Sequence, residues 1–452
     1  MRFKPLSLAL ILAAAPLAGR CADLLDIYRQ ARANDPVLAQ ADAQRLAIGE
    51  GVPLAAAALL PQISGSMSLQ QSDNSAGSNQ SGNGGLDTPG GHIRTRSESL
   101  SLDQTIFNLP DIANLRAAKS TANAQDAAYT AAEQELFIRV ASAYFQVLTD
   151  EDEVVYAKAN EDAFKKEYDQ AQAQYQVGLA AITNVYQADS FYQAARTQTV
   201  TAENTLANDK QALTQITNHP VENLEKLRED LPLDPPVPAD PQAWVTQALD
   251  TNPSILSQKY NLEAAEHDVT AARAARLPTI SASVSRGRTT SWLENSNFGN
   301  IDSGNGRIGT TVGVFLSVPI FSGGSIHAHV KQSIYQRDSA QDALEIQRRQ
   351  IVANTLNSYR AVLAAISQVQ SSKAAVASGQ KALDATRAGY QVGTETILDV
   401  LTAIQTLTSA ESSYSQARHA LVLDKLLLKQ AAGTISYKDL QAVNALLQSD
   451  GS

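Results

Sequence analysis

The sequence of 452 residues predicts a mainly α-helical protein with a membrane β-barrel, built from two tandem copies of one unit. Three observations lead to this fold class. Short motifs recur at an interval of about 215 residues, two very long segments are almost free of proline and glycine, and four short segments alternate apolar with small polar residues. Each copy is therefore expected to supply a long coiled-coil hairpin and two strands, which gives four strands per chain.

The composition indicates an unusual surface. Hydrophobic residues make up 44% of the chain and charged residues only 18%, whereas ordinary globular domains carry about 25% charge. The many apolar positions exclude uniform disorder, and the single cysteine excludes a disulfide scaffold. A net charge of -10 gives nucleic-acid phosphates no general attraction, so no nucleic-acid partner is expected.

The N-terminus has the layout of a secretory signal peptide. A basic start at residues 1–4 precedes an apolar run over 6–17 and then small residues, so residues 1–22 are expected to be removed on export. Cys21 leaves open a lipoprotein alternative, although Arg20 stands where a small residue normally precedes an acylated cysteine. Beyond this segment the sequence has no run of about 18 uncharged apolar residues, so a transmembrane helix is not expected.

The repeat divides the chain into two structural units. Four motifs of the first copy return in the same order in the second: 173–178 as 388–393, 60–64 as 277–281, 35–36 as 252–253, and 105–107 as 319–321. Four ordered matches at nearly one offset are not explained by chance. The predicted parts are a first repeat over 23–230, a linker over 231–241, a second repeat over 242–433, and a C-terminal equatorial or tail segment over 434–452.

The linker over 231–241 is too rich in proline for a helix or a central strand, and we expect it to be stiff. Asp240 and Pro241 at its end are typical of a helix N-cap followed by a first-turn proline. A new helix is therefore predicted to begin where the second repeat begins.

Two segments are predicted to form very long helices. Residues 111–177 contain neither proline nor glycine, and residues 325–388 contain Gly379 as the single weak point. Their Ala, Gln, Glu, Lys and Leu content favours helix. Gly178 and Gly393 follow these segments, and we expect both to act as C-cap glycines.

Each long helix is expected to turn back into a second helix, so that each copy ends in an antiparallel helical hairpin. The returning helices are predicted over 183–217 and 396–432, and the first helix of the chain over about 23–58. Spacings of four and three in the second long helix predict a coiled-coil seam formed by Val352, Leu356, Tyr359, Leu363 and Ile366.

Four segments alternate with a period of two, which predicts β-strands. Their apolar members are Ile63, Met67 and Leu69; Leu100, Leu102 and Ile106; Ile280, Ala282 and Val284; and Ile308, Val312, Val314, Leu316, Val318 and Ile320. Polar loops over 73–92 and 291–307 are predicted to join these strands in pairs. The arms run about 11–15 residues, enough to cross a bilayer as tilted strands, which needs about 9–11.

Four strands cannot close a membrane barrel, which needs about eight, and open sheet edges are not tolerated in hydrocarbon. The chain is therefore expected to oligomerise, and two, three or four copies would give about eight, twelve or sixteen strands. Short joints at 108–110 and 322–324 lead from the strands into the long helices. The barrel is thus expected to continue as a helical tube, whose function would be passage.

The half-repeat order, the Leu-Pro-x-Ile-Ser strand entries and the segments 177–185 and 389–400 resemble TolC-like outer-membrane efflux proteins. The resemblance covers essentially the whole mature chain. It implies a homotrimer with a twelve-stranded barrel in the outer membrane and an α-helical periplasmic tunnel closed at its tip. It also implies docking to an inner-membrane transporter of the RND, ABC or MFS type through a periplasmic adaptor, for drug efflux or type I protein secretion. The hairpin tips at Gly178 and Gly393 would be the docking points.

The resemblance also implies a gate at the periplasmic tip. Residues that match or replace the gate positions of the family are Asp399 and Thr402 for an aperture ring, and Glu167, Arg387, Tyr390, Glu395, Thr183 and Asn184 for latches between helices. We expect Glu167 and Arg387 to form the main latch, with Tyr390 and Glu395 bonding toward Asn184. The plainer alternatives are that Asp399 caps a helix and that Tyr390 packs helix ends.

No enzyme, cofactor or metal site is indicated by the sequence. His327 and His329 are two positions apart, so they do not share a helix face. Nucleophile-elbow, phosphate-loop and zinc motifs are absent from the sequence. The competing function is a secreted or envelope coiled-coil protein without channel activity.

Overall fold

A computed structural model of the chain describes residues 22–74, 91–221, 223–296, 299–302, 306 and 308–448. The predicted signal peptide up to and including Cys21 lies outside the described residues. So do the centre of the first predicted polar loop, part of the second, and the last four positions of the predicted tail.

The first repeat forms three short helices, two strands, two long helices and one short strand. In order these are α1 (Leu24–Asn34), α2 (Pro36–Gly49), α3 (Gly51–Ala57), β1 (Gln62–Asn74), β2 (Gly91–Phe107), α4 (Leu109–Gln176), α5 (Ile182–Thr217) and β3 (Lys226–Leu227). The linker that follows carries no helix, and Asp240 accepts a hydrogen bond from the backbone N–H of Gln242 ahead of the next helix, as predicted.

The second repeat follows the same order. Its elements are α6 (Pro241–Thr251), α7 (Pro253–Ala274), β4 (Thr279–Ser296), β5 (Gly299–Asp302), β6 (Gly309–Ser317), α8 (Ser325–Gln391) and α9 (Ile397–Ala431), followed in the tail by α10 (Tyr437–Asn444) and β7 (Leu447–Gln448). The predicted long helices are confirmed: α4 has 68 residues and α8 has 67.

The predicted first helix over about 23–58 is wrong as a single element. It is broken at Asp35, which is extended at φ -66°, ψ 118° and separates α1 from α2. The cause is Pro36, because the proline ring disfavours the helical region for the residue before it. Asn252 before Pro253 breaks the second repeat at the matching place, between α6 and α7.

Four long antiparallel strands form one sheet in the order β1, β2, β4, β6, and β5 pairs with the far end of β4. The predicted loop over 291–307 is therefore wrong in part, because its first residues extend β4 to Ser296. Val318 and Ile320 lie outside β6, which ends at Ser317. Pro319 stands between them and has no N–H to donate to a neighbouring strand.

The predicted coiled-coil seam of α8 is displaced by one position. Of the five predicted residues only Tyr359 is buried, and Leu363 is exposed. The buried residues of this stretch are Ile351, Thr355, Tyr359, Val362, Ala365 and Val369. Thr355 can be buried because its hydroxyl donates to the carbonyl oxygen of Ile351, 2.8 Å away, within the same helix.

The contacts divide the chain into two compact units, each containing parts of both repeats. Within the described residues, the helical unit lies in 22–42, 129–255 and 348–448, and the sheet unit lies in 43–128 and 256–347. Among the helices in the described part of the chain, none combines the length and the apolar character that a membrane-spanning helix requires.

The tail packs into the helical unit. Strand β7 pairs antiparallel with β3, and the Arg418 guanidinium of α9 donates to the carbonyl oxygens of Leu227 and Arg228, each at 2.8 Å. The hydroxyl of the fully buried Tyr144 donates to the carbonyl oxygen of Glu225 at 2.7 Å. The irregular segment after α5 is thus held by α4 and α9 through hydrogen bonds to its backbone carbonyls, and its strand β3 in turn holds the tail through β7.

A run of acidic residues over 150–153 occupies one turn of α4 and reaches two neighbouring helices. Glu151 forms an ion pair with Lys210 of α5 at 2.8 Å. Glu153 accepts a hydrogen bond from Ser412 of α9 at 2.6 Å. These contacts let one turn of α4 bind both α5 and α9.

Asp150, the first residue of this run, faces another carboxyl. Burial and the facing Asp209 of α5 raise the pKa of Asp150 to about 7. Gln146 donates to Oδ1 of Asp150 at 3.2 Å, while Oδ2 has no hydrogen-bond donor among the described residues. Glu153 of α4 and His419 of α9 line the same groove, and burial lowers the pKa of His419 to about 3, so its ring is neutral. A proton shared by the two carboxyls would supply the missing donor.

Replacing Asp150 with asparagine should change how stability depends on pH. Because folding raises the pKa of Asp150, its stabilising contribution to the free energy of unfolding is present below about pH 4. This contribution is lost as the pH rises through about 7. Urea unfolding of Asp150→Asn should therefore match the wild type near pH 4 and exceed it by about 1–2 kcal/mol at pH 8. Asp162→Asn, at an exposed position of α4, is the control. A constant difference at all pH values would contradict the shared proton.

Candidate channel tip

Four helix ends meet in the helical unit, where α4 turns into α5 and α8 turns into α9. Their buried apolar side chains form what we call the tip cluster: Phe164 and Ala171 of α4; Val185, Ala188 and Ala195 of α5; Leu383 of α8; and Ile397, Val400, Leu401, Ile404 and Leu407 of α9. The two hairpins belong to different repeats. Burial of apolar surface in this cluster therefore holds the two repeats together at their tips.

Both tip turns have the same backbone geometry. Gly178 and Gly393 adopt φ of 79° and 83°, in the left-handed region that favours glycine. At each turn the glycine N–H and the next N–H bond back to the last helical turn: Gly178 to Tyr175 and Leu179 to Gln174, then Gly393 to Tyr390 and Thr394 to Gly389. These are Schellman motifs, so the predicted C-cap glycines are confirmed.

Glu167 and Arg387 are in contact across the two repeats. Nη2 of Arg387 on α8 lies 3.3 Å from Oε1 of Glu167 on α4. The Glu167 side chain is 10% exposed and that of Arg387 is 43% exposed, so the pair is only partly screened by water. An ion pair of this kind contributes about 0–1 kcal/mol. Its role as a latch remains a prediction.

The hydroxyl of Tyr390 does not bond toward Asn184 as expected. It donates to Oε1 of Gln174 near the end of α4, at 2.9 Å. Burial and the nearby Glu167 raise the pKa of Tyr390, so the phenol stays protonated and able to donate. Gln174 is not among the residues that the sequence predicts for the gate. The available signal was a difference between the copies, since Gly389 occupies the matching position of the second repeat.

Glu395 also differs from the expectation. Its side chain folds over the last turn of α8, where a Cβ added to Gly389 would lie 2.6 Å from Cγ of Glu395. Thr183 is exposed on the first turn of α5. Asn184 beside it is half-buried, and its backbone N–H donates to the carbonyl oxygen of Ala181 at 3.0 Å. The structure thus brings Glu167, Arg387 and Tyr390 together, and among the described residues Glu395 and Asn184 form no hydrogen bond with each other.

Asp399 forms a capping box with Thr396 at the start of α9. Its carboxylate accepts from the Thr396 hydroxyl and, at 2.9 Å, from the Thr396 backbone N–H, and these bonds lower the pKa of Asp399. Thr402 lies about one turn further on, is exposed, and donates to the carbonyl oxygen of Leu398 at 2.8 Å. The capping interpretation of Asp399 is therefore present in the single chain, while the aperture ring remains a prediction.

The comparisons with known proteins agree with this architecture. The family model described as outer membrane efflux protein matches residues 27–219 and 244–434, one block in each repeat. The chain belongs to this family.

The chain is 33% identical to the outer membrane protein TolC of Escherichia coli (strain K12), over 98% of this chain and 88% of that protein. It is 27% identical to the alkaline protease secretion protein AprF of Pseudomonas aeruginosa, over 93% of this chain and 86% of that protein. Its fold is similar to the crystal structure of the outer membrane protein VceC from Vibrio cholerae, with a TM-score of 0.75, 20% identity, and coverage of 91% and 96% of the two chains. The protein is thus an efflux channel of the outer membrane.

Proposed function

We propose that three copies of the chain assemble into one exit duct, with a twelve-stranded barrel continued by a helical tunnel in the periplasm. The two-sided sheet carries the barrel, and the number three follows the resemblance to TolC-like outer-membrane proteins. One face presents small polar residues: Ser64, Ser66, Ser68, Ser97, Ser99, Ser101, Ser283, Ser285 and Thr311. The other face includes exposed apolar residues: Ile63, Met67, Leu69, Leu100, Val284, Val312, Val314 and Leu316.

The polar face suits a water-filled interior, and the apolar face suits lipid. Within the described residues, β1 pairs only with β2 and β6 only with β4, so both edges of the sheet offer hydrogen-bonding groups to neighbours. Because sheet edges are not tolerated in hydrocarbon, a neighbouring copy at each edge is the simplest arrangement that satisfies them.

The duct would receive its substrates from an inner-membrane transporter of the RND, ABC or MFS type through a periplasmic adaptor. The hairpin tips at Gly178 and Gly393 are the proposed docking points. Val177, Leu179 and Val392 beside these glycines are exposed, which gives a partner apolar surface to cover. Relatives named for efflux and for protease secretion support export of drugs, proteins or both.

The gate is proposed at the tip, where Glu167–Arg387 and Gln174–Tyr390 tie the first repeat to the second. Asp399 and Thr402 would line the narrow aperture, since both side chains are exposed on α9. Opening would separate these polar contacts while the hairpins remain folded.

Single-channel recording in planar bilayers tests both the duct and its gate. Arg387→Ala should raise the mean conductance up to about fivefold, because the pair it removes is worth about 0–1 kcal/mol. Arg360→Ala, at an exposed position on the same helix, is the control. Reversal of the pair, Glu167→Arg with Arg387→Glu, should restore the low conductance.

Two outcomes would count against these assignments. An unchanged conductance in Arg387→Ala would contradict the latch. A wild-type protein that fails to conduct and does not form oligomers would favour the structural coiled-coil alternative.

A further inference from the structure

Four arginines lie on the apolar face of the sheet. Because alternate residues of a strand share a face, Arg94 and Arg96 lie on the same face of β2 as Leu100 and Leu102. On β4, Arg288 is the register partner of Glu98 and Arg286 is that of Leu100, which places both on this face as well. We call Arg94, Arg96, Arg286 and Arg288 the arginine patch.

Around Arg286 and Arg288, the described side chains carry more positive than negative charge. Arg96 forms an ion pair with Glu98, and Nε of Arg94 donates to the Gln71 side chain at 3.1 Å. Arg286 and Arg288 are exposed and form no ion pair with any carboxylate among the described side chains. The register also places Asp73 near the end of β1, Glu294 of β4 and Asp302 of β5 on this face, all beyond Arg288 toward the end away from the helices. Arg286 and Arg288 are therefore two cations without an ion pair among the described side chains, and Glu98, the carboxylate opposite Arg288, is already paired with Arg96.

The patch borders a shallow groove of about 470 Å³, lined in part by Gly65, Met67, Glu98, Leu100, Arg286 and Arg288. Gly65, Leu100 and Arg286 are register partners and form one row across the strands. Because glycine has no side chain, β1 places nothing beside Leu100 in this row. The next row toward the helices is wholly apolar, formed by Ile63, Leu102, Val284 and Val312. A charged rim thus continues directly into an apolar surface.

The position of the patch along the strands indicates which side of the membrane it faces. Strand β1 leads away from α3 and β2 returns to α4, so the helices adjoin one end of the sheet. Arg94 and Arg96 lie toward the opposite end, where β1 and β2 face the segment between residues 74 and 91, and Arg288 lies at the middle of β4. With the helices in the periplasm, that end is at the outer leaflet.

An arginine facing lipid is costly unless something compensates it. At the bilayer midplane the cost is about 2–4 kcal/mol, and it falls near the interface. A guanidinium presents a planar fork of donors that matches phosphate oxygens. Two adjacent arginines on one strand are about 7 Å apart, close enough to share one anionic headgroup.

We propose that the arginine patch binds a phosphorylated, acylated glycolipid of the outer leaflet. Its phosphate lies on Arg286 and Arg288, and its acyl chains lie along Leu102, Val284 and Val312. The proposal rests on the proposed function, because it requires this face to lie in the outer membrane. It assigns the arginines a role in lipid binding and none in conduction.

Native mass spectrometry of the full-length protein from detergent micelles doped with bisphosphorylated lipid A tests the proposal. The wild type should retain the lipid, and Arg286→Gln with Arg288→Gln should reduce retention at least about tenfold. Arg196→Gln with Arg348→Gln removes two exposed arginines of the helical unit and should leave retention unchanged. Dephosphorylated lipid A should be retained about as weakly by the wild type as by the double variant.

The outcomes separate this site from the duct itself. Equal retention of lipid A by the wild type and by Arg286→Gln with Arg288→Gln would overturn the site, even if both proteins form trimers and conduct. Equal retention of phosphorylated and dephosphorylated lipid by the wild type would also overturn it. Failure of the wild type to form trimers or conduct would contradict the proposed function and remove the basis for lipid at this face.

Discussion

Arg139→Ala should lower the free energy of unfolding by about 3–5 kcal/mol. Asp35, between α1 and α2, is the reason. Its side chain is 2% exposed and its Oδ2 lies 2.6 Å from Nη2 of Arg139 on α4. The same oxygen accepts from the backbone N–H of Leu38 at 2.8 Å, which caps α2. Removing the guanidinium would leave a buried carboxylate without its counter-ion.

The second repeat shows how the loss of unfolding free energy in Arg139→Ala could be reduced. Asn252 occupies the position of Asp35, accepts from the Ser254 N–H at 2.9 Å and donates to the carbonyl oxygen of Ala431 at 3.0 Å. A neutral amide thus caps the matching helix without a cation. We therefore expect Asp35→Asn with Arg139→Ala to recover about half or more of the loss, since no unpaired charge remains.

Urea unfolding of the detergent-solubilised protein measures these differences. Arg32→Ala is the matched control, because its ion pair with Glu133 is longer, at 3.5 Å, and its side chain is 62% exposed. It should cost less than about 1 kcal/mol. If Arg139→Ala and Arg32→Ala lowered the free energy of unfolding by the same small amount, the contact between Asp35 and Arg139 would not be a strong one.

Much of the fold could be predicted because its signals are local. The absence of proline and glycine over 111–177 predicts one helix, since nothing in that stretch interrupts backbone hydrogen bonding. Gly178 marks the helix end because its backbone must adopt positive φ. The break at Asp35 is equally local, because Pro36 is its signal, and a prediction that gives Pro36 its full weight ends the first helix there.

The contacts between helices could not be predicted in the same way. Whether Tyr390 meets Gln174 or Asn184 depends on the rotation of α8 relative to α4 and α5, and a family motif fixes position along the helix only. The predicted seam of α8 differs from the buried residues, except at Tyr359, because the pattern favours large apolar residues. The structure buries Thr355 instead and leaves Leu363 exposed.

The sheet could be predicted in part from the sequence. Alternation predicts the strands and their apolar face, and the arginines of that face alternate with the same period. Arg286 and Arg288 follow Val284 at the same period, so the pattern of charges was present in the sequence. The register supplied what was missing, because it places both beside Glu98 and Leu100.

Leu401→Ala should lower the free energy of unfolding by about 2–5 kcal/mol, because it would leave a cavity in the tip cluster. Leu401 is 0% exposed and packs among residues of all four helix ends. This loss exceeds the 0–1 kcal/mol of an ion pair such as Glu167–Arg387, so apolar burial is the main force between the hairpins at the tip. The resting conductance should therefore rise more in Leu401→Ala than in Arg387→Ala.

The control is Leu398→Ala, about one turn earlier on α9, where the side chain is 43% exposed and the loss should be below about 1 kcal/mol. Hydrogen exchange of the first turns of α9 would locate the effect, which should be faster exchange near the tip in Leu401→Ala. Equal exchange and equal conductance in the two leucine variants would mean that the polar contacts hold the tip. Separating the hairpins would expose every side chain of the tip cluster to water, which is costly. If burial is the main force, an adaptor can therefore open the gate only by rotating the hairpins relative to each other while the tip cluster stays buried.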